Sequence, residues 1–483
     1  MATPIPKNRA RFTIDEIARV TRGTIVYRSE SRQPTREIPL TTTGAVTDSR
    51  AATQGSLFVA LRGEQHDGHA FAPKVANLGG TVVVVERGRA PESRDAVEVD
   101  DTLVAWGDLA RFHLERWCAK AIDPAVIAIT GSAGKTTTKE LVAALCAVIA
   151  PTHSTAGNLN NRIGVPSVVF ALEEIHRFCV LEMGMSLVGE LDAITSFARP
   201  DVSIITNVGV AHAEGVGGKE GVMREKGAVY RALDAEGTAV VNADDDHVLR
   251  ASKETKAKIV TFGRAESDYH LVDRTPLGEL GSRVTIEAKN RRLVVTLPLP
   301  GEAAAIDLAA ALAAQEAASG VLLEPDQIDR ALATIRLEGR ATLKRLGDDV
   351  LVLDDTYNAN PASMRSALET LNEIAGTRRK LAVLGEMKEL GDLTNAEHVS
   401  LGDAIAEAKP DLVVGCGGKI DLALDRAAEK GIAVIKSAST DAAALEIQAY
   451  VKPGDAILVK GSRSVGAEKV VLKLAESLPS PRN

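Results

Sequence analysis

Val126 to Thr138 reads VIAITGSAGKTTT, and this stretch decides the fold. Apolar, mostly β-branched residues run straight into a glycine loop, and a helical pattern then continues from Lys139 to Ala150. A strand, a glycine loop and a helix in that order let backbone N–H groups turn inward around phosphate oxygens. The helix N-terminus adds its positive dipole end. Gly131, Ser132, Ala133, Gly134, Lys135, Thr136 and Thr137 would form the cradle. Lys135 can reach the β- and γ-phosphates, and the Thr136 hydroxyl can meet Mg²⁺. The loop is shorter than the general pattern. Ile129 stands where GxxxxGK places its first glycine, which leaves GxxGKT. A glycine turn with a chance GKT is the competing reading, and the flanking strand and helix weigh against it.

Outward from the loop, further strands are predicted at Arg177 to Leu181, Val202 to Thr206 and Thr238 to Val241, alternating with helical patterns. That alternation predicts a mostly parallel sheet with helices on both faces. Val284 to Pro298 carries a polar AKNRR turn between two β-like runs and reads as a hairpin. Ala303 to Ala318 and Pro325 to Ile335 read as helices. Before this region lie short β-like runs, Ser56 to Leu61 and Gly80 to Glu86, and a helical stretch near Leu103 to Ala119. After it, Val350 to Leu353, Lys380 to Leu384, Asp411 to Val414 and Ala456 to Val459 read as strands of a second, Rossmann-like layer. The expected class is α/β with three domains: a smaller N-terminal α/β domain (1–100), a central P-loop-type ATPase domain (101–337) and a C-terminal Rossmann-like domain (338–483).

Composition agrees with this division. A chain of 483 residues is too long for one core. Its net charge of −8 and the lack of a long basic run argue against nucleic-acid binding or an anionic-membrane surface. The four cysteines, Cys118, Cys146, Cys179 and Cys416, show no metal spacing, so buried thiols in a reducing compartment are expected. The opening MATPIPKNRARFTIDEIARV lacks a signal-peptide apolar stretch. No apolar run reaches about 18 residues, so no membrane insertion is expected and the cytoplasm is the default location.

A phosphate loop alone does not separate kinases, GTPases, motors and ligases. Glu182 follows a strand in LEMGM, where a carboxylate can meet a metal at the strand's carboxyl end. His212 lies in NVGVAHAEG, just past another strand, and Lys226 lies in REKGAVY on a predicted helix. With AGNLNN and GSAGKTT, these stretches resemble the Mur ligase family, which extends the peptide of the peptidoglycan precursor. DDTYNANPASM (Asp354 to Met364), LGEMKELG (Leu384 to Gly391) and KGSRS (Lys460 to Ser464) are similar to the family member that adds a dipeptide. Asp48 to Arg50 (DSR), with GSLFVALRGEQHDGHAF, resembles the family's UDP-binding domain.

The resemblance implies an ATP-dependent ligase joining D-alanyl-D-alanine to a UDP-N-acetylmuramoyl-tripeptide through an acyl phosphate. Lys135 and Thr136 would hold the ATP phosphates and one Mg²⁺, with Glu182 sharing that ion. His212 would bind a second Mg²⁺. Lys226 would be carbamylated, because an ammonium repels Mg²⁺ whereas a carbamate offers anionic oxygens. Asn158 would line the phosphates, and Asn242 and Asp244 the adenine. Arg340 would swing onto the γ-phosphate and Asp355 would contact the ribose. Asn358 would lie by the nucleotide, and Tyr357, Asn360 and Lys460 by the dipeptide. Ser49 and Arg50 would meet the UDP-sugar. A monomer is the family expectation.

Two departures stand out. The family usually shows GxHNxxNA before its Ala-rich helix. Here GEAAAIDL puts Ala303 and Ala304 at the His-Asn pair and Asp307 at the later Asn. Met185, Ser186 and Leu187 replace an Asn-His that often follows the Glu182 motif. The closest rivals are a folylpolyglutamate synthase and the diamino-acid-adding ligase, both disfavoured by DDTYNANPASM. A P-loop phosphotransferase or GTPase lacks its NKxD-type string here, and a non-catalytic UDP-sugar scaffold would not need the five polar residues together.

Overall fold

A computed structural model describes residues 5–27, 40–63, 66–92, 95–210 and 213–478, with the side chains of 213 and 214 left aside. Three α/β layers follow one another along the chain. The first is a five-stranded sheet ordered Thr24–Val26, Ala96–Val99, Val82–Glu86, Leu57–Val59, Ala45–Val46, parallel except for its first pair.

The second is a nine-stranded sheet. Its parallel part runs Lys258–Gly263, Thr238–Asn242, Val202–Ile205, Ala125–Thr130, Phe178–Glu182 and Thr152–Ser154. The strand pattern explains the depth of its burial. Val126 and Ala128 enter the core on one face, whereas Ala125, Ile127 and Ile129 enter the core on the other. A side-chain period of two therefore feeds both faces, and a one-residue slip would exchange them. Fully burying each Val or Ile contributes about 1.5–3 kcal/mol, so the register is strongly held.

The hairpin is present as Ser282–Ala288 and Arg291–Leu297, paired antiparallel. Lys289 and Asn290 form its two-residue turn with φ of 45° and 64°, the left-handed pair whose twist suits a tight hairpin. Tyr269–Pro276 joins the hairpin to the parallel strands.

The Ala-rich helix is Glu302–Ser319. It is apolar nearly all round because it lies against Lys135–Ala147 on one side and the central strands on the other. The helix after the glycine loop begins at Lys135, earlier than the predicted Lys139. Gly134 takes φ 82° and caps it, so the KTTT residues become its first turn.

The third layer is ordered Thr342–Arg345, Leu351–Asp355, Ala456–Lys460, Lys380–Leu384, Leu412–Gly415, Val434–Lys436, parallel after its first pair. Cys146, Cys179 and Cys416 are buried as expected, but Cys118 is exposed, because it falls on the outer side of Thr102–Lys120. No helix among the described residues is long and apolar enough to cross a membrane.

Candidate active site

The glycine loop sits at the carboxyl end of Ala125–Thr130. Its two flanking glycines are sterically required. A Cβ on Gly131 would stand 1.8 Å from the Thr206 hydroxyl, and one on Gly134 would stand 2.6 Å from Asp307 Oδ1. The loop is clamped from the neighbouring strand's end. The Ala133 amide donates to Asn207 Oδ1 at 2.9 Å, and Asn207 Nδ2 donates to the Ala133 carbonyl at 3.1 Å. Thr206 donates to the same carbonyl at 2.5 Å, and the Gly209 amide donates to Ser132 Oγ at 2.8 Å. These bonds fix the loop's shape before any ligand arrives.

Lys135 donates to the Gly131 carbonyl at 2.7 Å. Burial lowers its pKa; Glu182 pulls the other way, Arg340 lowers it further, and Glu389 raises it. Glu182 lies beside the loop because its strand pairs Glu182 with Ile129. Its carboxylate is 2 % exposed. It accepts from the Thr136 hydroxyl at 2.6 Å and from Asn160 Nδ2 at 2.8 Å. Both donors are neutral, so this buried anion and the adjacent hydroxyl form the oxygen-rich half-shell that a hard divalent cation prefers. These residues fit one Mg²⁺.

Lys226 ends the helix Gly218–Lys226 and is 1 % exposed. Among the described residues, its ammonium has no hydrogen-bond or ion-pair partner. Burial, followed by repulsion from Lys135, drives its pKa well below the usual lysine range. Both effects favour the amine over the ammonium, and the amine is the form that reacts with CO₂. The predicted His212 lies outside the described residues. Among the described residues no group of three or more His, Cys, Asp or Glu side chains converges as a metal site.

The other predicted residues fall in three places. Asn158 is exposed on the loop preceding Gly164–Val169. Asn242 is buried and donates to the Thr206 carbonyl at 2.7 Å, and its Oδ1 accepts from the Asp244 amide at 2.9 Å. Asp244 accepts from the amides of Arg264 and Ala265, both at 2.7 Å. This pair shapes the loop beside Thr238–Asn242.

In the third layer, Asn360 caps the helix Pro361–Ala375 and also donates to the Ser132 carbonyl at 3.2 Å. That bond ties the third layer to the phosphate loop. The Arg340 guanidinium stacks on the Tyr357 ring at 3.7 Å. Lys460 is fully buried, and donates to Asp355 at 2.5 Å and to the Asn358 carbonyl at 2.9 Å. Asp355 also accepts from the Ala341 amide at 3.1 Å. Lys460 is thus committed to holding Asp355 and Asn358 in place.

Ser49 and Arg50 stand in the first layer. Arg50 is paired to Asp48 at 2.6 Å and is highly exposed, and neither residue bonds to the phosphate loop. Asn160, Thr206 and Asn207 were not singled out from the sequence. All three sit in or beside quoted motifs, AGNLNN and NVGVAHAEG, whose amides gave no signal of which one would turn inward. The departure at Asp307 proves to be a contact with the loop. Its carboxyl is buried against Gly134, and burial pushes its pKa up to about 8, partly offset by the Thr138 hydroxyl.

A parallel sheet with a clamped glycine loop at one strand's end, and an acid on the next strand, defines the class of α/β proteins that bind nucleotide phosphates. The sequence narrows the class. Residues 41–150 match the Mur ligase family catalytic domain, 129–315 the Mur ligase middle domain, and 339–463 the Mur ligase glutamate ligase domain. The chain belongs to the Mur ligase family. It is 34 % identical to the UDP-N-acetylmuramoyl-tripeptide–D-alanyl-D-alanine ligase of Bacillus subtilis, over 90 % of this chain and 93 % of that one. Its fold is similar to that of MurF from Acinetobacter baumannii, with a TM-score of 0.85 and 32 % identity over 97 % of this chain and 100 % of that one. It is also similar to the Thermotoga maritima MurF ligase solved in complex with ADP, with a TM-score of 0.79 and 27 % identity over 90 % and 97 % of the two chains.

Proposed function

We propose that the chain joins D-alanyl-D-alanine to UDP-N-acetylmuramoyl-tripeptide, consuming ATP and releasing ADP and phosphate, in peptidoglycan synthesis. One observation carries the reading. Asn360 of the third layer donates to the Ser132 carbonyl of the phosphate loop, which supports a reading in which the layer that delivers the nucleophile also closes over the ATP site.

The chemistry requires both halves. A carboxylate becomes a good acyl donor when the γ-phosphoryl group of ATP moves to its oxygen and ADP leaves. The dipeptide's amine then attacks the acyl carbon, loses a proton, and phosphate departs. Negative charge spreads over the phosphoryl oxygens in the first step, and Lys135 and Arg340 are the cations facing it. The loop amides of Gly131 to Thr137 orient the phosphates. Bringing the third layer against the loop excludes water from the acyl phosphate.

In this reading Thr136 and Glu182 would hold one Mg²⁺, and His212 and a carbamylated Lys226 would hold a second. Ions bound there would supply charge neutralisation at the phosphates. The downward pull of burial on the Lys226 pKa supports carbamylation, since free amine plus CO₂ gives a carbamate and a proton. Residues 1–100 would bind the UDP-sugar, with Ser49 and Arg50; 101–337 would bind ATP; 338–483 would carry the dipeptide. Asn158, Asn242, Asp244, Asp355 and Asn358 would line the nucleotide, the last four by fixing its loops. Tyr357 and Asn360 would lie beside the dipeptide, above the Lys460 tie. A cytoplasmic monomer fits a soluble substrate set of this kind.

The test is phosphate release from ATP, which should require both the UDP-muramoyl tripeptide and D-alanyl-D-alanine. Release with one of them alone, or with a folate, redirects the assignment.

A further inference from the structure

The ligase reading leaves one chemical requirement unassigned. D-Alanyl-D-alanine brings an amine that reacts and a carboxylate that does not. That carboxylate needs a cation, or its desolvation opposes binding.

The cations at the carboxyl ends of the third sheet differ in their commitments. Lys460 is buried and bonded to Asp355. Lys388 is paired with Glu386 at 2.5 Å. Arg340 stacks on Tyr357 at 3.7 Å, and in the ligase reading it serves the phosphates. Arg463 remains. Its guanidinium lies over the same Tyr357 ring, 5.8 Å from the centroid. Its side chain is 49 % exposed, and its acidic partner is Glu468 at 3.5 Å, a half-buried residue whose Oε2 is buried; the long separation and the exposed guanidinium make the pairing weak. A guanidinium resting on an aromatic face keeps its donor edge free, and that edge matches a carboxylate bidentately.

The backbone places Arg463 firmly. The Ser462 amide donates to the Glu386 carbonyl at 3.2 Å, and Ser462 Oγ accepts from the Lys388 amide at 2.9 Å. Gly385 crosses so near that a Cβ there would stand 2.7 Å from Val465. Arg463 therefore projects from a braced turn, on the tyrosine that also carries the phosphate-facing arginine.

We propose that Arg463 reads the free carboxylate of the incoming dipeptide, with Tyr357 holding it beside the phosphate-directed Arg340. This rests on the ligase reading. It makes Arg463 a specificity determinant for D-alanyl-D-alanine over neutral analogues.

The experiment compares D-alanyl-D-alanine with its C-terminal carboxamide as acceptors, using the full chain, ATP and the UDP-muramoyl tripeptide. The wild type should prefer the acid. In Arg463→Ala, KM for the dipeptide should rise about 10- to 100-fold, the effect of losing a hydrogen bond to a charged group. KM for ATP and for the UDP-tripeptide should hold, and the preference for the acid should vanish. Arg463→Lys should recover part of that preference. An Arg463→Ala enzyme that still prefers the acid, or that loses ATP affinity instead, overturns the proposal while the ligase reading stands. A wild type that ligates neither form removes the ligase reading and the proposal together.

Discussion

Lys226 and Lys460 are each about 1 % exposed, yet the two regions that hold them treat the charge in opposite ways. In the second layer, burial and then repulsion from Lys135 drive the Lys226 pKa well down. In the third layer, Lys460 ends its strand in register with Asp355 and bonds to it at 2.5 Å. A buried cation with an anion built beside it is a structural tie. A buried lysine with no anion beside it is pushed toward its reactive neutral form. Burial alone does not mark function; the partner does.

The comparison can be broken most sharply at the phosphate loop. Replacing Lys135 by Ala should raise the barrier by about 3 kcal/mol or more, as for loss of a preorganised charge-stabilising donor. The rate of phosphate release checks this, while the melting temperature should hardly move. Lys226→Ala should be comparably inactive with an intact fold. Depleting CO₂ should lower wild-type turnover and bicarbonate should restore it; turnover indifferent to both would remove the carbamate.

Lys460→Ala should show the reverse pattern. It strands Asp355, so unfolding in urea should reveal a loss of about 3 kcal/mol, typical of breaking a buried pair. A large rate loss without a stability loss would erase the contrast drawn above.

A smaller effect is expected at Glu182→Gln, which retains the Thr136 and Asn160 contacts but not the charge. Activity titrated with Mg²⁺ should need about tenfold more metal.

The smallest effect concerns Asp307. Its folded-state pKa of about 8 lies above the usual carboxyl value of 3.8. Between those pH values the folded protein holds a proton that the unfolded chain has released, so stability falls as pH rises through this window. Asp307→Asn should match the wild type near the lower limit and gain on it up to about pH 8, measured as the difference in unfolding midpoint. A constant difference across pH would mean that the carboxyl is ionised throughout.

Much of this was legible without coordinates. The strand-loop-helix at Val126 to Thr138 announced itself because apolar periodicity and loop glycines are local signals. The same holds for the Ala-rich helix and the hairpin. Motif resemblance pointed to Glu182 and Lys226. It did not single out Asn160, which turns inward to Glu182, because side-chain direction in a loop depends on neighbours far along the chain.

By itself, then, the sequence determined the order of the layers, the phosphate-binding loop and the family, since each rests on short-range pattern. Only the tertiary structure decided which lysine is paired, which asparagine clamps the loop and where Asp307 and Arg463 lie. Those outcomes turn on burial and on charges brought together from distant segments, quantities that exist only after the sheets have packed.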